Sequence, residues 1–298
     1  MRVDWSSSTF ASTAVFVSAS AWGLYWIPLR YLETIGLEGT WPIAMINFPA
    51  ALLLIGIVLS RWEKNRHQIR LAWAIGLFTG LAFTFYATGL LFSSVVRVTL
   101  FYYLTPIWAT LIGMVWLGEK ATWQRWAAIA IGLVGLAFLV SGGGSMPLNI
   151  GDFFGFLSGV TWAIGGALIM RFGSVPLESS TMAQLTVTSV AALLLGALTV
   201  GFHVPEPSAI VSALPLSVLV SVLVLLPSLW VIFWASKILF PGRVGLLMMT
   251  EVLVAVLTAA LFLPEETMST REWTGAVLIL GACLTEVLLS PRLEKAQA

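Results

Sequence analysis

The sequence predicts an all-α polytopic membrane protein: ten transmembrane helices in an inverted 5+5 repeat, with both termini cytoplasmic. Three observations predict it. The 298 residues are 59% hydrophobic and only 10% charged, where a soluble domain carries about 25% charged residues. Apolar stretches of about 20 residues, long enough to cross a bilayer core as helices, recur along the whole chain. Lysine and arginine gather on alternate connections, and the two halves of the chain resemble each other. A soluble protein with one large core is the losing reading. The net charge of +1 also argues against a broad basic surface, so no nucleic acid partner is expected.

The first span is 11–32. Its start has one competing reading, a signal peptide, because Arg2 precedes an apolar run and Ser18-Ala19-Ser20 looks like a small-residue cleavage site. Asp4 and the Ser6–Ser8 run make a poor n-region, and the segment beyond the supposed cut has a repeat partner, so it reads as a membrane helix. Spans 40–60 and 71–91 flank a basic loop, and Gly76-x-x-x-Gly80 in the latter reads as close helix packing. Span 95–117 contains Pro106, and the Gly-rich span 124–141 ends at Gly142-Gly143-Gly144. Span 151–171 carries a second packing motif, Gly155-x-x-x-Gly159, and spans 181–201 and 213–235 flank the turn Pro205-Glu206-Pro207. Span 239–263 holds Glu251, and span 272–290 holds the single cysteine, Cys283. One cysteine permits no intrachain disulfide. No linker or soluble module interrupts the chain, so 1–147 and 148–298 are read as the two halves of one membrane domain.

Orientation follows from basic residues, which favour cytoplasmic connections. With the N-terminus inside, the cytoplasmic segments hold Arg2, Arg61, Lys64, Arg66, Arg70, Lys120, Arg125, Arg171, Lys237, Arg243, Arg292 and Lys295. The outer ends hold Arg30, Arg97 and Arg271. Of the 15 basic residues, 12 fall inside and 3 outside, which places both termini in the cytoplasm.

The repeat is visible at an offset of 146 residues, where Thr105-Pro106 through Leu117-Gly118-Glu119 matches Glu251-Val252 through Leu263-Pro264-Glu265. Each copy continues to an arginine (Arg125, Arg271), a tryptophan (Trp126, Trp273) and a Gly-rich helix. At an offset of 140, Ser18 to Trp22 matches Ser158 to Trp162. Five helices per half is an odd number, so the halves enter the membrane from opposite sides, as in transporters with a central site.

Trp22-Gly23, Pro106, Leu117-Gly118-Glu119 and the second copy, Thr250-Glu251-Val252 to Leu263-Pro264-Glu265-Glu266, resemble the drug/metabolite transporter superfamily, EamA type. Within it, Tyr103–Pro106 and Trp162 look most like the YddG-type aromatic amino acid exporters. The resemblance implies a multi-pass protein of the bacterial inner membrane that exports small metabolites by alternating access. One departure is Val252, where many relatives carry proline. Relatives that carry phosphorylated sugars need basic residues at mid-membrane, whereas Arg97, Lys237 and Arg243 fall at helix ends here. Strongly anionic substrates are therefore not expected.

Candidate site residues are those that lie deep in a span yet are not simply apolar. Thr99, Tyr103, Pro106, Thr110 and Gly113 share one helix face, which meets either packed protein or a cavity; Thr105 adjoins it. Of the 14 tryptophans, Trp5, Trp41, Trp62, Trp73, Trp116, Trp123, Trp126 and Trp273 sit near span ends as an interfacial belt. Trp22 and Trp162 are too deep for the belt and can stack on an aromatic or cationic substrate, with Tyr25 and Trp26 one turn on. Glu251 lies deep in the ninth span, where a carboxylate costs several kcal/mol unless paired, protonated or wet. It reads as an amine counter-ion, a site for a coupling proton, or a structural residue. Glu286, Glu119, Glu265 and Glu266 fall at helix ends or turns. Asn47, Gln184 and Thr188 can bond a zwitterion, although interhelical hydrogen bonds are their leading role. His67 and His203 lie in loops, so no metal or other cofactor is expected.

The leading expectation is a secondary transporter exporting amphiphilic metabolites, foremost aromatic amino acids, through a central cavity. Its halves would rock about hinges at Pro28, Pro106 and Pro227. Its partners are the small-molecule substrate, protons as a coupling ion, and the lipid bilayer. The alternatives are an exporter of other metabolites or drugs and a passive channel or uniporter. An intramembrane enzyme would need a nucleophile–base pair or metal ligands at depth. The sequence has no His-Glu-x-x-His, no Gly-x-Ser-x-Gly and no deep histidine, so enzyme chemistry is not expected.

Overall fold

The computed structural model describes residues 8–120, 123–142, 147–199, 201, 203–248, 250–262, 269–278 and 280–282. Trp5, Gly143, Gly144, the turn at 263–266, Cys283, Glu286 and both charged chain ends lie outside the described residues. Among the described residues every regular element is a helix. Seven stretches among the described residues are long and apolar enough to cross a membrane, namely Phe10–Thr34, Trp41–Ser60, Trp62–Phe92, Arg97–Trp116, Ile150–Arg171, Leu177–Thr199 and Pro207–Ala235.

In chain order the first span comprises α1 (Ser8–Trp22) and α2 (Trp26–Thr34), and the second is α3 (Trp41–Ser60). The short α4 (Trp62–Asn65) leads into α5 (Ile69–Phe92). The fourth span comprises α6 (Val95–Tyr102) and α7 (Thr105–Trp116), followed by α8 (Trp123–Gly142). Next come α9 (Ile150–Arg171) and α10 (Leu177–Thr199). The eighth of the spans expected from the sequence comprises α11 (Pro207–Val220), a π turn at Ser221–Leu225, and α12 (Leu226–Ala235). Then α13 (Pro241–Leu247) and α14 (Thr250–Phe262) precede a helix over 270–278.

The first, fourth and ninth spans are expected as single helices, and each is two. Proline explains two of the breaks, and they fall one turn before it. A proline lacks an N–H and its ring collides with the carbonyl four residues back. Pro28 acts on Leu24, inside the break between α1 and α2, where Ile27 N–H turns to the Leu24 carbonyl at 3.1 Å. Pro106 acts on Tyr102, the last residue of α6, whose carbonyl accepts from the Thr105 hydroxyl instead. Pro227 acts in the same way on Leu223, in the middle of the π turn. The breaks and the π turn therefore lie upstream of the prolines at which hinges are expected. The one proline of the ninth span, Pro241, opens α13 and lies ahead of the break, so it does not account for α13 ending at Leu247 and α14 beginning at Thr250. Two hydroxyls take the carbonyls there: Thr250 Oγ1 donates to Leu247 O at 2.9 Å, and Tyr103 Oη to Met248 O at 2.6 Å. The breaks at Thr105 and Thr250 each carry the same hydroxyl-to-carbonyl bond, three residues back.

Polar contacts sort the connections to two ends of the helical bundle. At one end Lys64 pairs with Glu178 at 3.0 Å, Gln68 bonds Ser174, Lys237 bonds the Val175 carbonyl, and Arg171 bonds the Trp116 carbonyl. Burial holds Lys237 below the ordinary lysine range, with nearby Glu178 opposing that effect. At the other end the Arg97 guanidinium grips Asp152, whose carboxylate also accepts from Ser93, while Asn149 caps α9. Asp152 is only 2% exposed. Removing one partner of a buried, bonded pair like this costs about 3–5 kcal/mol, because it strands the other charge.

Glycines let the spans touch backbone to backbone, the expected arrangement where lipid supplies no hydrophobic drive between helices. A Cβ on Gly76 would stand 2.3 Å from the Ala183 Cβ, and one on Gly155 2.7 Å from the Val98 carbonyl. A Cβ on Gly159 would stand 2.8 Å from the Tyr102 carbonyl, so α9 lies directly on the break of the fourth span. Gly23 does the same for the first span, since its Cβ would come 2.5 Å from the Glu251 carbonyl oxygen. These contacts bring four of the broken or glycine-bearing segments to one place: the first, fourth and ninth spans and α9.

Candidate central site

That place is a small cavity of about 20 Å³, room for about one water. Its walls are Trp22 from the end of α1, Ala82, Phe83 and Tyr86 from α5, Tyr102 from α6, Ser158 and Trp162 from α9, Met248, and Glu251 from α14. Five of these nine are aromatic, and Glu251 is the one charged side chain among them.

The rings form two connected groups. Trp22 meets Phe83 edge-on with centroids 4.8 Å apart, and Tyr25 lies 4.9 Å from Phe83 and 5.8 Å from Trp22. Across the cavity Tyr86 and Tyr102 are 5.2 Å apart, and Tyr102 meets Tyr103 edge-on at 5.2 Å. Such pairs fix one another's orientation and are each worth about 0.5–1.5 kcal/mol beyond burial. Glu251 is 2% exposed, with the Tyr86 hydroxyl within hydrogen-bonding reach of its carboxyl. Tyr86 also shares a 3.1 Å hydrogen bond with Thr99. The Trp22 indole N–H and the Ser158 hydroxyl are buried with no partner. The cavity thus offers one acceptor acid, two idle donors and a set of flat apolar faces.

The nine residues singled out in the sequence divide accordingly. Trp22, Trp162 and Glu251 line the cavity. Tyr25 backs it through Phe83, and its hydroxyl and the Asn47 side-chain carbonyl are both buried without a hydrogen-bond partner. The Asn47 amide donates to Ile43 O in its own helix at 2.8 Å. Trp26 is tied to α14 by a 3.1 Å bond to Thr258. Tyr103 holds the ninth-span break rather than facing the cavity, through its bond to Met248 O. Thr105 lines a separate cavity of about 10 Å³ with Trp162, Ala109, Ser236 and Val244, and Pro106 lies beside Gly245. The belt tryptophans Trp62, Trp73, Trp116, Trp123, Trp126 and Trp273 are exposed, whereas Trp22 and Trp162 are buried.

Ala82, Phe83, Tyr86, Tyr102, Ser158 and Met248 complete the site and are not among the residues singled out in the sequence. Ser158 carried a signal, since it opens the repeated segment that ends at Trp162. Tyr102 was hidden by its neighbour. The break at Tyr103–Leu104 interrupts the helical face on which Tyr103, Pro106 and Thr110 were aligned.

The family model of the EamA-like transporters matches residues 9–141 and 149–287. One solved crystal structure superposes with a TM-score of 0.66 at 19% identity, over 97% of this chain and 100% of that chain. At that identity the likeness shows the fold alone. No curated protein sequence matches the chain.

Proposed function

This chain belongs to the EamA-like transporter family, and we propose that it is a secondary transporter exporting small amphiphilic metabolites, foremost aromatic amino acids. One observation carries the reading: a lone buried carboxyl set in a cavity whose other walls are mostly aromatic rings. A zwitterion with an aromatic side chain complements that arrangement. Its ammonium would face Glu251, its carboxylate the unpartnered Trp22 N–H and Ser158 hydroxyl, and its ring the indole of Trp162. No lysine or arginine lines the cavity, which disfavours acidic solutes. At about 20 Å³ the cavity holds no amino acid as it stands, so loading requires the helices around it to separate. The breaks at Gly23–Tyr25, Tyr103–Leu104 and Leu247–Thr250 are where the surrounding helices can bend.

The test is competition in proteoliposomes loaded for counterflow with labelled phenylalanine. Unlabelled tryptophan and tyrosine are expected to compete about tenfold better than glutamate. Equal competition by glutamate would remove the aromatic, non-acidic class.

We place the protein in the bacterial inner membrane with ten crossings, halves at 1–147 and 148–298 inverted, and both termini in the cytoplasm. The basic end defined by Lys64, Arg171 and Lys237 supports this orientation. A reporter fused after Ala298, and one inserted near Lys64, are both expected to read cytoplasmic. Either one reading outside contradicts the topology.

A further inference from the structure

We propose that Trp22 is the outer door of the central cavity, and that it opens sideways into a groove that takes the apolar part of the substrate on its way to the bilayer. The proposal rests on the carrier reading above. It adds a route and a specificity-determining residue.

This groove has a volume of about 650 Å³. One wall is Leu24, Ile27 and Tyr31 of the first span, and the other is Leu216, Val220 and Val224 of the eighth. It extends from Ala21 to Tyr31, about 15 Å of helix, which is half the thickness of a bilayer hydrocarbon core. Its lip is exposed, with Leu24 at 42%, Ile27 at 39% and Val224 at 39%. No charged residue lines it. An aqueous vestibule would carry polar walls, so this lip faces acyl chains in the membrane.

Trp22 lines both the groove and the central cavity, so one indole separates them. It is 8% exposed, and its N–H has no hydrogen-bond partner. Turning the ring therefore breaks ring packing against Phe83 and Tyr25 but no hydrogen bond. Both walls can yield there. The first span is broken at Gly23–Tyr25, beside Trp22, and the eighth carries the π turn Ser221–Leu225 opposite it. Ser221 pins that turn to the second span by accepting the Ala50 N–H at 2.9 Å. Trp162, the repeat counterpart of Trp22, separates the central cavity from the pocket around Thr105 and Ser236. That inner pocket has the hydroxyls of Thr105 and Ser236 in its wall, while the longer outer groove carries hydroxyls at Tyr25, Tyr31 and Ser228 among side chains that are mostly aliphatic. A solute leaving past Trp22 is thus received by a surface that favours apolar groups.

The experiment fills the groove from its lip with Ile27→Trp, and independently with Val224→Trp, in proteoliposomes. Both positions are part-exposed, so neither change has to repack the core. Labelled phenylalanine transport is expected to fall about tenfold in each variant, with labelled alanine changed by less than about twofold. Equal loss for both solutes in both variants, or loss for neither, overturns the lateral route. A second arm needs no transport. A photoactivatable aryl diazirine added to the vesicles is expected to label Trp22 or Tyr25 in the wild type, and Ile27→Trp should block that labelling. Adducts confined to Leu24 and Val224 overturn the door. Should wild-type vesicles move no amino acid, the carrier reading fails by itself, and the labelling arm still decides whether an aromatic solute reaches Trp22 through the groove.

Discussion

Glu251→Gln is expected to abolish the response of transport to a proton gradient while leaving substrate counterflow intact. The carboxyl is 2% exposed, lies in the wall of the central cavity and has the Tyr86 hydroxyl as its near neighbour. Glutamine keeps the shape and a hydrogen-bonding carbonyl but cannot bind and release a proton in this range. Gradient-driven accumulation should therefore drop to the ungated level, a loss of about tenfold or more. Counterflow needs no net proton movement and survives. A second outcome assigns the residue differently. If Glu251 is the counter-ion of the substrate amine, the variant raises the apparent KM for zwitterions and spares solutes without the amine. A charge-assisted bond of about 1.5–3 kcal/mol corresponds to about a 10- to 150-fold rise. Normal transport with an unchanged gradient response, measured from acid to alkaline pH, would make Glu251 structural.

Trp162→Ala carries the second large effect, and it should be selective. The indole lines the central cavity and separates it from the inner pocket, with only 9% of the residue exposed. Removing it takes away a stacking face worth about 0.5–1.5 kcal/mol to an aromatic ring, and also the partition between the two cavities. Phenylalanine transport is expected to fall about three- to tenfold further than alanine transport. Matched losses for the two solutes would make Trp162 a packing residue and weaken the aromatic assignment.

Seven of the ten expected spans are long and apolar enough among the described residues, and these were legible because bilayer thickness sets a length and the composition repeats it. Their breaks were legible only in part. Pro28, Pro106 and Pro227 announce a disturbance, but the carbonyl that yields lies four residues earlier, so each break precedes its proline. The ninth-span break has no such marker. It depends on Tyr103, a residue of another span whose hydroxyl reaches Met248 O across the molecule, and no local pattern shows that. The site divides in the same way. Trp22, Trp162 and Glu251 stood out because a tryptophan too deep for the interface and an acid within a span need a reason. Phe83 and Tyr86 did not, because aromatic residues in the apolar α5 give no periodic signal that marks a cavity face. Trp26 and Asn47 looked equally suitable, yet their side-chain N–H groups donate to Thr258 and Ile43 O. The groove beside Trp22 was not legible at all, since it is formed by two spans about 200 residues apart in sequence and lined by ordinary aliphatic side chains.

The central claim is carriage by alternating access through one cavity between aromatic walls. Counterflow tests it most directly. Proteoliposomes holding purified protein are loaded with excess unlabelled phenylalanine and diluted into a trace of labelled phenylalanine, with no ion gradient. A carrier must return loaded on each side in turn, so the account predicts a transient accumulation of label above equilibrium that saturates with concentration. Simple approach to equilibrium without an overshoot, unchanged by the internal load, would contradict it and identify a passive pore.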